Sequence, residues 1–388
     1  MERKRTGTMF WSCVLLAALL VLSGCGGESG EETKDGGDPQ VSELPVTGLG
    51  IRRAQNFDIQ YLADNVKLLT DSAGRELLLV PEGGRAPTEY KDALQVTTPV
   101  KRAMFTSATH VSFLGELGED SLYDSIAVVT TEGSRWNTPQ ILDRFASGQI
   151  TYIAEDSWMA GDVESIAATA PDFVFVDVPG EGGTALCTIL DGLGIPYVAA
   201  AVERDTGSEA YLEWLKFFGA FYNLDQKASD LYEGKIDDLE GLYRQAASIP
   251  ESGRPVVAFG MASDGIVYTQ GGSSAIARQL ERMGAVYALK DLEGDGQVQL
   301  GMEEFLEKCG DADILIYDAL PAHMRGTLLD EDPLFAQCKA YQNQRVYTLD
   351  NSYDMNSAKV VERSKDLLAI CHPELEEGHV LTMYQPLR

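Results

Sequence analysis

The chain has 388 residues, 31 Lys and Arg against 60 Asp and Glu, and a formal net charge of −29 at pH 7. A surface this acidic repels phosphate backbones and anionic headgroups, which argues against nucleic acid as a partner and leaves membrane contact to a covalent lipid. The hydrophobic share of 44% is enough for real cores, in a chain long enough for two domains or lobes.

The chain opens with Arg3, Lys4 and Arg5, then an apolar run from Met9 to Leu22 that is too short to remain as a spanning helix. It ends in Leu22-Ser23-Gly24-Cys25, small residues before a cysteine, which resembles the lipobox of bacterial lipoproteins. That resemblance implies a signal peptide over 1–24, removed on export, and a lipid on Cys25 that anchors the protein to the outer face of the cytoplasmic membrane or in the periplasm. From Gly26 to Pro39 there is no apolar residue to bury, so 25–48 reads as an acidic, flexible tether. Beyond Cys13 and Cys25, the cysteines Cys187, Cys309, Cys338 and Cys371 form no C-x-x-C pair; disulfides and buried free thiols are both open.

Phe57 to Val80 alternates as strands about a turn at Asp71–Gly74, an N-terminal hairpin. From Val100 the pattern becomes strand, loop, helix: strands at Arg102–Thr106, Ser125–Thr130, Phe173–Val176 and Tyr197–Ala201, a helical segment that Ser107–His110 lead into and that ends at Gly118, and helices at Pro139–Ala146 and Thr184–Leu193. Such alternation predicts a parallel sheet covered on both faces. An aromatic-striped helix, Ser208–Tyr222, reads as core, and Asn223 to Asp225 read as the cap of a long helix ending near Ser248. Strand and helix then alternate again: Val256–Phe259, Ser274–Met283, Ile314–Tyr317, Val346–Leu349 and Ala358–Cys371. The fold expected is α/β, two Rossmann-like lobes with mostly parallel sheets, a single rigid helix between them and a ligand cleft. The boundaries are 49–222 for the first lobe with its extra hairpin, 223–249 for the connecting helix and 250–388 for the second lobe.

An internal echo accompanies this organisation. Glu164 opens a short helix before Phe173–Val176, and Glu304 does the same before Asp313–Ile316, at identical spacing. Two other motifs fall short of chemistry. Asp291, Glu293, Asp295 and Gly296 follow a calcium loop, but Met302 stands where the bidentate glutamate is needed, so an acidic turn is expected. Met261–Gly265 approaches a nucleophile elbow with its first glycine one place early, at Gly260.

The lipobox, the acidic tether, two α/β lobes and one connecting helix resemble the helix-linked substrate-binding lipoproteins of ABC importers, the iron-siderophore, haem and vitamin B12 family. Thr98–Arg102, Glu164–Val176, Val346–Leu349 and Leu367–Glu374 carry the likeness, which runs over Thr98–Glu374. It implies capture and release without catalysis, by a monomer working with a permease and its ATPase. It also implies that Glu164 and Glu304, with Glu303 as the fallback, engage permease arginines. Asp177–Gly180 replaces the aromatic residue that the B12 binder carries there, which weakens cobalamin against an iron chelate or haem.

Strand-end loops facing the expected cleft supply the ligand candidates. These are Ser107, Thr109, His110, Trp136, Asn137, Trp158 and Met159 in the first lobe. In the second they are Tyr268, Tyr317, Arg325, Asn351, Tyr353 and Met355, with Ser263 and Asp318 beside them. Aromatic side chains suit a large, partly apolar metal complex, and the shortage of cleft arginines argues mildly against a strongly anionic catecholate. Four histidines are too few for a zinc or manganese cage, so no metal site and no intrinsic cofactor is expected. The alternatives are a cobalamin-binding importer component, a zinc or manganese binder, or a non-transport enzyme or sensor on the same scaffold.

Overall fold

The computed structural model describes residues 49–91, 93–159, 163–178 and 181–387, all within one contact-connected unit, Ser42–Arg388. Cys25 and the expected signal peptide and tether lie outside these residues. The chain starts with β1 (Asp58–Tyr61), β2 (Lys67–Thr70), β3 (Glu76–Pro81) and β4 (Leu94–Thr98), an antiparallel meander to which β4 adds in parallel. The turn between β2 and β3 is the one the sequence spells: the Asp71 carboxylate accepts from the amides of Ala73 and Arg75, and Gly74 takes a φ of 75°. Ile59, Leu69, Leu77, Leu79 and Val96 join the first-lobe core, while Val66, Leu68, Leu78 and Val80 form a small cluster of their own. The expected hairpin is therefore a four-stranded sheet.

The first-lobe sheet contains β5 (Ala103–Phe105), β6 (Ile126–Val129), β7 (Thr151–Tyr152), β8 (Phe173–Asp177) and β9 (Tyr197–Ala200). All are parallel, in the order β7-β6-β5-β8-β9. The helices are α1 (Ala108–Glu116), α2 (Pro139–Ala146), α3 (Glu155–Met159), α4 (Glu164–Thr169) and α5 (Glu181–Leu193). The order reverses between β5 and β8, so their C-terminal ends open a crevice. The N-terminal sheet covers the edge strand β9: Ser72 donates its amide to Ala199, and Asp71 and Ser72 side chains accept from Ala199 and Ala201.

Helix α6 (Ser208–Phe221) is buried almost all round, as its aromatic stripe requires. Helix α7 (Asp225–Ala247) has 23 residues and is about 34 Å long. Its Ala228, Tyr232 and Leu239 belong to the first-lobe core, and its Leu242 and Ala246 to the second. One rigid element thus spans both lobes. Asn223 does not cap it; its side-chain oxygen accepts from Lys67 and Thr98 instead, tying the N-terminal sheet to the start of the helix.

The second-lobe sheet runs β13-β11-β10-β14-β15-β16, with β12 beside β10. Its strands are β10 (Val256–Ser263), β11 (Ile266–Gln270), β12 (Val286–Tyr287), β13 (Gln297–Gly301), β14 (Ile314–Tyr317), β15 (Val346–Leu349) and β16 (Tyr384–Pro386). Its helices are α8 (Ala275–Arg282), α9 (Met302–Cys309), the one-turn α10 (Leu328–Glu331) and α11 (Lys339–Gln342), and α12 (Val360–Cys371). Met261–Gly265 is the tip of the β10–β11 hairpin, with Asp264 and Gly265 both at positive φ; it is a two-residue turn rather than a strand-to-helix elbow. The Asp291–Gly296 stretch is a loop whose backbone carbonyls accept from Gly271, Gly272 and Ser273, with its acids exposed.

The echo between lobes is real but displaced. Asp172 donates its amide to Arg102 beside β5, and Asp313 donates to Val256 beside β10, so these two aspartates are equivalent. Counted from them, Glu304 lies one residue further upstream than Glu164, and Phe305 is in register instead. Glu164 opens α4, whereas Glu304 is the third residue of α9; both are exposed.

Candidate functional site

The loop after β9 leads into α6 and faces α8, the 350–363 segment and β16 across a cavity of about 580 Å³. Glu203 and Tyr211 line it from the first lobe, and Arg278, Arg282, Asp318, Tyr353, Arg363 and Tyr384 from the second. On its wall Arg363 donates from Nη1 to the Tyr353 hydroxyl at 3.2 Å, and its guanidinium lies 5.8 Å from the Tyr211 ring and 5.9 Å from that of Tyr353. Tyr384 stands edge-on to Tyr353 with centroids 6.0 Å apart. The Arg363 Nε is shut away from solvent without a hydrogen-bond partner, a donor whose burial is costly until an acceptor arrives. Burial raises the Tyr211 and Tyr384 phenols far above their ordinary range, so both are neutral O–H groups.

Other cavity charges are already committed. Arg282 pairs with Glu209 and lies 3.6 Å over the Tyr243 ring. Arg278 donates to Thr206 at 3.1 Å, reaching from the second lobe to the first. Buried Asp205 accepts from the Gln55 amide and the Trp214 indole, each at 2.9 Å.

A second inter-lobe contact joins the 354–358 segment to α1. Met355 and Ala358 enter the first-lobe core. Ser112 Oγ meets Ser357 Oγ at 3.1 Å and accepts from the Ala358 amide, while Ser357 donates to Thr109 at 3.2 Å. Trp136 and Met355 line a separate small cavity of about 140 Å³ there.

The sequence candidates do not converge on one place. Of the thirteen, Tyr353 alone borders the large cavity. Ser107 caps α1, accepting from the Thr109 amide. His110 is fully buried against Phe218, with Asp177 at 3.9 Å; burial drives its pKa down to about 3, against the opposing pull of the Ala200 and Phe175 backbone. Trp136 and Trp158 are buried and donate to the Thr131 and Gly182 carbonyls. Asn137 and Met159 are exposed on the first lobe. Tyr317 is a core residue of β14 bonded to Ala262, and Tyr268 lies half-buried in β11. Arg325 is exposed and paired with Asp264 and Glu331; Asn351 accepts from the Ala322 amide. Among the described residues no three His, Cys, Asp or Glu side chains form a metal-holding group.

Sequence reasoning missed Tyr211, Arg278, Arg282, Arg363 and Tyr384. The argument against an anionic ligand fails with them, because the cavity arginines come from α8 and α12 rather than from strand-end loops. The signal was there: Arg278 and Arg282 are four apart on α8, on a face that Ala277 and Leu280 do not use for the core.

The family model for periplasmic binding proteins matches residues 126–353, more than half of the chain. An uncharacterised lipoprotein of Methanocaldococcus jannaschii is 26% identical over 94% of this chain and 92% of its own length. Among solved structures, a possible iron-binding solute-binding protein of Staphylococcus epidermidis aligns with a TM-score of 0.51 at 17% identity, over 70% of this chain and 99% of that one. CeuE of Helicobacter pylori with Ni(II) bound aligns with a TM-score of 0.54 at 15% identity, over 74% of this chain and 88% of that one.

Proposed function

The chain belongs to the periplasmic binding protein family, and on that footing we propose that it is the substrate-binding lipoprotein of an ABC importer, capturing an iron complex, a ferric siderophore or haem, for delivery to a membrane permease. Its role is binding, not catalysis. The observation that carries the ligand class is Arg363, a guanidinium set among Tyr211, Tyr353 and Tyr384 with its Nε unpartnered. Such a group meets an oxyanion bidentately, and the rings supply flat area for a chelate or macrocycle. Cobalamin, whose single phosphodiester is its one anionic group, is the second candidate.

The lipobox at Cys25 and the lipoprotein relative of similar length support anchoring at the membrane surface. Among the described residues no helix is long and apolar enough to cross a membrane. Glu164 and Glu304, exposed on helices that lead into β8 and β14, are the proposed contacts to permease arginines, which would steer docking more than tighten it.

Calorimetric titration with ferric citrate, ferrioxamine, haem and cobalamin tests the reading. At least one iron complex is expected to bind, and Arg363→Ala to weaken it about tenfold or more. Cobalamin binding alone, or an undiminished iron complex in the Arg363→Ala variant, would overturn it.

A further inference from the structure

Beside the cavity, and sharing Asp205, Thr206, Gly207, Glu209 and Arg282 with it, lies a polar depression of about 630 Å³. Four arginines border it, Arg52, Arg53, Arg204 and Arg282, on a chain whose net charge is −29. Arg52 is paired with Glu233 and Arg282 with Glu209, but Arg53 and Arg204 carry no ion pair among the described residues. Asp205, the other acid there, is spent on Gln55 and Trp214.

The depression is built on a fixed backbone. Fully buried Glu213, itself paired with Lys216 at 3.0 Å, accepts from the amides of Arg52, Arg53 and Ala54, and Asp205 accepts from that of Gln55. Two buried carboxylates therefore fix where Arg52 and Arg53 project. Gly207 gives the start of the 14-residue α6 no side-chain cap, which adds the positive end of a helix to the same rim. Arg52 and Arg53 precede the residues matched by the family, whereas Arg204 and Arg282 lie within them, so the depression is built from both parts of the chain.

We propose that this depression is a binding site for oligoanions, groups bearing two or more carboxylates or phosphates. Resting on the cargo reading above, it holds the anionic arm of a chelate whose metal-bearing part sits in the cavity. Arginine forks suit both oxyanions, and exposure makes the binding salt-dependent.

The test is titration of the full chain with citrate and with pyrophosphate at about 150 mM salt. Binding of either is expected, with the preferred one identifying the oxyanion. Arg53→Ala with Arg204→Ala is expected to weaken it about tenfold or more, while removing the same charge by Arg85→Ala with Lys91→Ala leaves it within about twofold. The first double variant is also expected to lose ferric citrate and keep cationic ferrioxamine. Failure of both anions to bind, or equal binding by both double variants, overturns the site. Citrate or pyrophosphate bound without any iron complex upholds the site and sinks the cargo reading.

Discussion

His110 and Asp177 meet where β5 and β8 open their crevice, and their titrations oppose each other. Burial, with Glu203 and Glu155 nearby, raises the Asp177 carboxyl to about 6. The folded state therefore takes up its proton before the unfolded chain does, and stability rises as pH falls from about 6 towards the ordinary carboxylate value. His110 does the reverse: the unfolded chain gains its proton near 6.5 and the folded one only near 3, so stability falls across that interval. Asp177→Asn is expected to stabilise the protein at pH 7 by about 1 kcal/mol, a figure discounted because the side chain is 37% exposed. It is also expected to steepen the acid-side loss that His110 causes. Urea unfolding at pH 4.5 and 7 checks both; an unchanged pH slope would refute the opposition. Position alone made His110 a ligand candidate. Its burial was not legible, because it depends on Phe218 arriving from α6, more than a hundred residues away.

Helices α6 and α7 cross so closely that a Cβ on Gly219 would sit 2.6 Å from that of Ala228. Gly219→Ala is expected to cost about 1–3 kcal/mol by overpacking. Gly234, exposed on α7 with nothing within 4 Å of its would-be Cβ, should respond oppositely, Gly234→Ala gaining about 0.5–1 kcal/mol of helix stability. Thermal unfolding of the two variants checks the signs, and destabilisation by both would contradict the packing. Elements with strong periodicity, such as α2, α7 and β8, stood in the sequence nearly to the residue. Strands β4, β11, β13 and β16 did not, since each gains stability from a ladder partner rather than from its own pattern. The Asp264-Gly265 hairpin signal was passed over because the stretch was compared only with a nucleophile elbow, which it falls short of.

Because α7 contributes to both cores and the 354–358 segment packs on α1, lobe closure on ligand binding is expected to be small. Small-angle scattering should change little on loading; a hinge-sized compaction would contradict the rigid link. The proposed docking pair, exposed Glu164 and Glu304, is tested at the scale of the importer. Glu164→Arg with Glu304→Arg is expected to abolish uptake and transporter-stimulated ATP hydrolysis while preserving ligand affinity, and normal uptake would refute the docking assignment. Two lobes and their connecting helix were legible because periodicity is local. The cavity was not, because it joins α6, α8, α12 and β16, which only the assembled fold brings together. The most direct test is anomalous diffraction at the iron edge from crystals of the protein grown with an iron complex that binds it. The expected result is an iron peak in the cavity bounded by Arg278, Tyr353 and Arg363; iron bound anywhere else, with that cavity unoccupied, would contradict the proposed site.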